Sequence, residues 1–176
     1  MRQVRYNVAM SLDGYIAGPG GEYDWIPMDP EIDFGAIFAR FDTVLMGRRT
    51  YEVSLRQGGG GMPGMRPYVF SYTLRAADHP SVTIVAENAS GFIADLRRQA
   101  GKDIWLMGGG ELFRSLLEAG QIDAVDVAVI PIVLGRGTPA FPQTDLRTVL
   151  TLTGSRTYAK TGIVSLQYLR AVLSCL

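Results

Sequence analysis

The sequence predicts an α/β fold: a mostly parallel, doubly wound sheet covered on both faces, with an antiparallel hairpin added near the carboxyl end. Short, wholly apolar runs such as Thr43-Val44-Leu45-Met46 and Ile104-Trp105-Leu106-Met107 are what strands buried on both faces look like. These runs alternate with stretches of helical periodicity, the mark of repeated strand–helix–strand units. The last third changes to long strand-like runs, the final two separated by the hairpin signal Ala159-Lys160-Thr161-Gly162.

Taken in order, Val4 to Met10 reads as a first strand, ended by the turn-former Asp13-Gly14. A Gly- and Pro-rich loop runs from Gly18 to Pro30, and Ile32, Phe34, Ile37, Phe38 and Phe41 then recur at helical spacing. That spacing predicts an amphipathic helix entered at Pro30-Glu31. Thr43 to Met46 is a buried strand stopped by Gly47, with a helix start near Thr50, and Arg56 to Arg66 is a glycine-rich loop. Strands follow at Pro67–Phe70 and Val82–Ala86, a helix around Phe92–Arg97, a strand at Asp103–Met107, and a helix at Glu111–Ala119 closed by Gly120. The tail supplies strands at Val125–Val133, Leu150–Tyr158 and Ile163–Leu169.

The 176 residues fit one domain spanning 1–176, 47% of them hydrophobic and 19% charged, which is globular composition. Seventeen basic side chains balance seventeen acidic ones, so the basic excess of a non-specific nucleic-acid binder is missing. No apolar run reaches the roughly 18–20 residues of a membrane span. Met1 to Arg5 leads into a strand rather than a signal-peptide core, and the lone Cys175 fits a reducing compartment; a cytoplasmic location is expected. One histidine, His79, and one cysteine leave no His-based triad and no structural zinc site, so no metal is expected.

In an open α/β sheet, ligands bind outside the carboxyl ends of the strands, which directs attention to two segments. Met107-Gly108-Gly109-Gly110-Glu111 reads strand, glycines, helix. It is either a tight turn or an anion site, where missing Cβ atoms and free helix N–H groups receive a pyrophosphate. Met46-Gly47-Arg48-Arg49-Thr50 also follows a buried strand, and either solvates an arginine pair or grips phosphate with two guanidiniums and a hydroxyl. Two such segments at strand ends of one sheet point to one dinucleotide lying across both. The formal G-x-G-x-x-G match at Gly59–Gly64 has no strand before it and contains Pro63, so it is read as loop.

These residues, together with Ser11-Leu12-Asp13-Gly14-Tyr15-Ile16-Ala17, Asp24-Trp25, Ile122-Asp123 and Pro131-Ile132-Val133-Leu134-Gly135-x-Gly137, occur in an order that resembles the dihydrofolate reductase-like superfamily. The branch is the one holding the reductase domain of riboflavin-biosynthesis proteins. The resemblance implies a three-layer α/β/α sheet that binds NADPH and passes hydride to a small heterocycle, and it implies a homodimer, to which the apolar tail strands also point. Carried across, it places Ala9, Ile16 and Trp25 beside the nicotinamide. Gly47, Arg48 and Thr50 take phosphate, Arg48 with Ser71 takes the 2′-phosphate, and Gly108, Gly109 and Gly110 face the pyrophosphate; Arg49 and Glu111, beside these segments, are cofactor-binding candidates from the residues themselves. Dihydrofolate reductases join the first glycine pair by a cis peptide.

On the substrate side, dihydrofolate reductases use one carboxylate on the first helix. Glu31 and Asp33 fall near it, either as acid–base candidates or as acids at a helix start. Tyr15 and Phe34 are candidate walls for a planar ring, with Trp25. Asp13 either faces the cleft or serves an Asp-Gly turn. The riboflavin branch usually has an arginine where Phe38 stands, a glutamate where Met107 stands and a serine where Tyr23 stands, groups that recognise a ribose phosphate. The expected activity is therefore an NADPH-dependent reductase resembling the 5-amino-6-(5-phosphoribosylamino)uracil reductase type, with the substrate itself open. The alternatives are a dihydrofolate or pteridine-type reductase and a non-catalytic NADPH-binding protein.

Overall fold

The computed structural model describes residues 1–56, 58–59 and 62–171. Cys175, and Gly60 and Gly61 of the Arg56–Arg66 loop, lie outside the described residues. In chain order the elements are β1 (Val4–Ser11), β2 (Tyr15–Ala17), α1 (Phe34–Phe38), β3 (Phe41–Gly47), α2 (Arg48–Arg56), β4 (Arg66–Phe70), β5 (Thr83–Val85), α3 (Ala89–Arg98), β6 (Asp103–Gly108), α4 (Gly110–Glu118), β7 (Ala124–Ile130), β8 (Thr138–Pro139), β9 (Leu150–Tyr158) and β10 (Ile163–Arg170). A single 3-10 turn spans Ala76–Asp78.

The centre is an eight-stranded sheet in the order β5-β4-β3-β6-β1-β7-β10-β9. The strands from β5 to β7 run parallel, and β10 and β9 close one edge antiparallel, as the sequence predicts. The pleat sends alternate side chains of each strand to opposite faces. Leu45, Ile104 and Leu106 pack under α3 and α4, whereas Val44, Met46 and Trp105 pack with Tyr51 of α2 and with Ile37 and Phe38 of α1. Burial on both faces is why these strands read as unbroken apolar runs.

The chain leaves β3 through α2 towards β4, and leaves the adjacent β6 through α4 towards β7 on the far side of β1. Neighbouring strands with connections that depart in opposite directions open a crevice at their carboxyl ends. That topological switch fixes where the site lies.

Several expectations need correction. The helix predicted from Pro30 to Phe41 is only Phe34–Phe38, capped by Asp33, whose carboxylate accepts the Ala36 N–H at 2.8 Å. Upstream, the Asp29 carboxylate accepts from the Glu31 N–H (2.9 Å) and the Thr161 hydroxyl (2.6 Å), a side-chain alternative that takes this segment out of the helix. Phe41 instead opens β3. The strand Val125–Val133 stops at Ile130, because Pro131 has no N–H to give a ladder. The small sheet of β2 with β8 was not expected. Among the described residues there is no cis peptide; the sharp turn between β6 and α4 is taken by Gly109, at φ +96°. No helix among the described residues is long and apolar enough to cross a membrane.

Candidate active site

A cleft of about 1430 Å³ runs along the carboxyl ends of the parallel strands and continues over the α1/α2 face of the sheet. It exceeds the roughly 300–1,000 Å³ of a pocket for one small ligand. At its centre the ends of β3 and β6 touch. A Cβ on Gly109 would stand 3.3 Å from the Gly47 Cα, and one on Gly47 would stand 3.6 Å from the Gly109 Cα. A Cβ on Gly108 would meet the Thr50 hydroxyl oxygen at 3.2 Å. Side chains at Gly108 or Gly109 would press on the facing loop, whereas one at Gly47 would make ordinary contacts and still cover the backbone.

Both loops open directly into helices. Helix α4 is entered through Gly109 with no side-chain cap, so its first N–H groups are left for a ligand. Helix α2 begins at Arg48. Arg48 and Arg49 are solvent-facing at the rim, where Arg48 pairs with Glu52 at 3.1 Å. Ser71, at the end of β4, is buried on the same rim and accepts the Thr73 and Leu74 N–H groups at 3.2 and 3.1 Å. Its hydroxyl thus shapes the turn as well as bordering the cleft. Gly110 also borders it, but its missing side chain serves packing, since a Cβ would meet the Pro139 carbonyl at 2.7 Å.

Beyond the glycines the cleft floor is made by Ala9 of β1 and Ala128 of β7, and Ile16 borders it. One wall is aromatic: Phe38 stacks on Trp105 with ring centroids 5.3 Å apart, and Phe34 lies 6.0 Å from Phe38. In the floor of the same region sits Asp126, 5% exposed, its carboxylate 3.5 Å from Arg5 and 3.6 Å from Arg40. Burial pushes its carboxyl pKa up, against the pull of the Arg5 and Arg40 charges. Among the described residues no group of three or more His, Cys, Asp or Glu side chains gathers as a metal site.

The model of the RibD C-terminal domain matches residues 2–164. The chain belongs to the RibD C-terminal domain family. It is 30% identical to the "Uncharacterized protein YyaP" of Bacillus subtilis (strain 168), covering 95% of this chain and 94% of that one. It is 35% identical to the "Uncharacterized protein YwjB" of the same organism, covering 93% and 95%. Among solved structures, a Shewanella sp. PV-4 protein named for riboflavin biosynthesis matches with TM-score 0.83 and 27% identity, over 98% of this chain and 100% of that one. A Thermotoga maritima diaminohydroxyphosphoribosylaminopyrimidine deaminase/5-amino-6-(5-phosphoribosylamino)uracil reductase matches with TM-score 0.71 and 17% identity, over 97% of this chain and 57% of that one. That second likeness shows the fold alone.

On this RibD-type frame the sequence-predicted residues divide. Ala9, Ile16, Phe34, Gly47, Arg48, Arg49, Thr50, Ser71, Gly108, Gly109, Gly110 and Glu111 all border one cleft. Glu111 is an exposed first-turn acid that pairs with Arg114 at 2.6 Å.

Five residues expected at the site are placed elsewhere. Trp25 packs against Ile130, Tyr158 and Ile163, and its indole N–H donates to the Glu22 carbonyl at 3.0 Å. Tyr15 sits in β2 opposite Pro139. Asp13 accepts from the Ser11 hydroxyl (2.6 Å) and from the Leu134 and Gly135 N–H groups (3.1 and 2.7 Å), which ties two loops together. Glu31 reaches outward to Arg156 at 3.5 Å with both side chains more than half exposed, and Asp33 is spent on the α1 cap. Sequence reasoning named Phe38 only as a departure from the riboflavin branch, and missed Trp105, Arg40 and Asp126. A signal for the last was present: one carboxylate inside Ala-Val-Asp-Val-Ala-Val-Ile, on the same strand face as Ala128.

Proposed function

We propose that this RibD-type chain is an NADPH-dependent reductase that passes hydride from the nicotinamide to a small planar heterocycle. The observation that carries this reading is the contact between the Gly47 and Gly109 backbones at the topological switch, each loop opening into a helix. Bare backbone, two helix N-termini and the Arg48 and Arg49 guanidiniums favour an extended polyanion. The same cleft is bordered by Ala9 and by the aromatic side chains of Phe34, Phe38 and Trp105.

The cofactor supplies the hydride; the chain's residues bind, align and exclude water. Phe34, Phe38 and Trp105 favour a flat ring, and the small side chains of Ala9 and Ala128 leave room for it against the floor. Phe38 and Met107 stand where the riboflavin branch carries an arginine and a glutamate. This departure favours a substrate other than the phosphoribosyl aminouracil.

The direct test is titration of the full chain with NADPH and NADH, followed by a panel of pteridines, quinones and aminopyrimidines under saturating NADPH, read at the nicotinamide absorbance. Tight NADPH binding, weaker NADH binding and oxidation by at least one heterocycle are expected. Equal affinity for both nucleotides overturns the role given to Arg48. Binding without any turnover favours the non-catalytic alternative.

A further inference from the structure

His79, the only histidine of the sequence, does not border the cleft. Its ring meets Tyr51 of α2 instead. The Tyr51 hydroxyl and His79 Nδ1 are 3.1 Å apart, and the two rings meet edge to face with centroids 5.3 Å apart. Tyr51 is 1% exposed, in an apolar cluster with Val44, Met46, Val69 and Trp105. His79 is half-buried, in the connection of residues 71–82 that carries the chain from β4 to β5. Turns fix its backbone: its N–H donates to the Ala76 carbonyl at 3.1 Å, and its carbonyl accepts the Val82 N–H at 3.3 Å.

Both elements joined by this pair border the cleft. Helix α2 brings Arg48 and Arg49 in its first turn, just before Tyr51, and the connection opens with Ser71 and Tyr72. Among the described residues, Tyr51–His79 is the only side-chain hydrogen bond between α2 and the connection. Those of Arg48, Arg56 and Ser71 stay within their own segments. Stability alone does not call for polar groups here. A phenyl ring against an apolar partner would bury similar surface without desolvating a hydroxyl, and such paired replacements are nearly neutral. What the directional bond adds is one fixed placement of the helix against the connection.

We infer that His79 is a positioning residue for the nucleotide's 2′-phosphate, acting through Tyr51 to set Arg48 on α2 against Ser71 on the connection. A phosphate held from two separate elements is sensitive to their spacing, because hydrogen bonds weaken steeply away from their preferred geometry. With the ring neutral and its proton on Nε2, Nδ1 accepts from the Tyr51 hydroxyl. The pyrophosphate end, at Gly109 and the start of α4, lies on other elements. NADH, which lacks the 2′-phosphate, is therefore indifferent to the pair. The inference rests on the nucleotide-binding part of the proposed function.

The test is titration of the full chain and its variants with NADPH and NADH, read by nucleotide fluorescence. Tyr51→Phe and His79→Leu are each expected to weaken NADPH about threefold and to leave NADH nearly unchanged. The double variant is expected to lose no more than either single one, since both remove the same bond. His79→Asn keeps an acceptor near the Nδ1 position and is expected to hold the wild-type preference for NADPH. An equal loss for both nucleotides, losses that add in the double variant, or a His79→Asn that behaves as His79→Leu overturns the inference. Tyr51→Phe keeps the buried ring, so it decides the question even if a His79 variant fails to fold. A wild-type preference for NADPH that survives Tyr51→Phe overturns the inference alone, whereas wild-type protein that binds neither nucleotide overturns the reductase reading with it.

Discussion

The backbones of Gly47 and Gly109, 62 residues apart in the chain, lie in van der Waals contact, such that a Cβ on Gly109 would stand 3.3 Å from the Gly47 Cα. Gly109 also takes φ +96°, a conformation that costs a residue with a Cβ about 1–2 kcal/mol. Gly109→Ala is therefore expected to weaken NADPH roughly tenfold by pushing the two loops apart, and to lower Tm as well. Gly47→Ala meets only ordinary contacts, at 3.6 Å and beyond, and is expected to spare Tm while still weakening the nucleotide. Fluorescence titration beside thermal unfolding separates the two, and equal effects on both readouts would show that Gly47 serves packing alone.

Arg48 is partly exposed and already shares its charge with Glu52 at 3.1 Å, so its contribution to a 2′-phosphate is discounted for solvent and for that competition. Arg48→Ala is expected to cost NADPH about 1 kcal/mol, a factor of roughly five, and to leave NADH nearly untouched. Glu52→Gln is expected to shift the preference the other way, towards NADPH, by releasing the guanidinium. Parallel titrations of both nucleotides with both variants decide this, and a uniform loss for NADPH and NADH in Arg48→Ala would move the 2′-phosphate contact to another group.

What could be read from the sequence was what local composition determines. Thr43–Met46 and Ile104–Met107 announce strands buried on both faces, because Leu45 and Leu106 face one layer while Val44, Met46 and Trp105 face the other. The glycine loops announce themselves because a bare backbone has few other uses after a buried strand. What could not be read depends on partners remote in the chain. Helix α1 is short because Asp29 is held by Thr161, 132 residues away. Trp25 packs on Ile130, Tyr158 and Ile163, more than a hundred residues further along the chain, so its position is set by neighbours its own segment does not show. Asp126 looked like one residue of an apolar strand, and becomes a candidate only when β10 and the Arg40 loop close around it.

Asp13 supports the rim from outside the cleft. Its carboxylate accepts the Ser11 hydroxyl and the Leu134 and Gly135 N–H groups, which hold its pKa below the ordinary carboxylate value. Asp13→Ala is expected to lower Tm and to leave NADPH affinity unchanged, because it releases the loop after β7 without touching the glycine pair. The same linkage says that this contribution is complete above the unfolded pKa of about 3.9 and is lost as pH falls towards the lower folded value. A loss of nucleotide binding with no change in Tm would return Asp13 to the cleft.

Asp126 has the opposite sign. Burial raises its carboxyl pKa above the ordinary 3.8, with Arg5 and Arg40 opposing and Asp103 reinforcing the rise. The folded chain therefore holds this proton more tightly than the unfolded chain does, and the stabilisation is fully present below the unfolded pKa and is lost as pH rises through the raised folded one. Asp126→Asn carries no titration there and keeps Arg5 paired to Asp103. The Tm of wild type minus that of Asp126→Asn is expected to grow more positive as pH falls from neutrality towards about 4, ahead of the acid losses at Asp13, Asp29 and Asp42, whose folded pKa values are lowered. A difference that stays flat across that window would mean that the Arg5 and Arg40 charges fully offset the cost of burying the carboxylate.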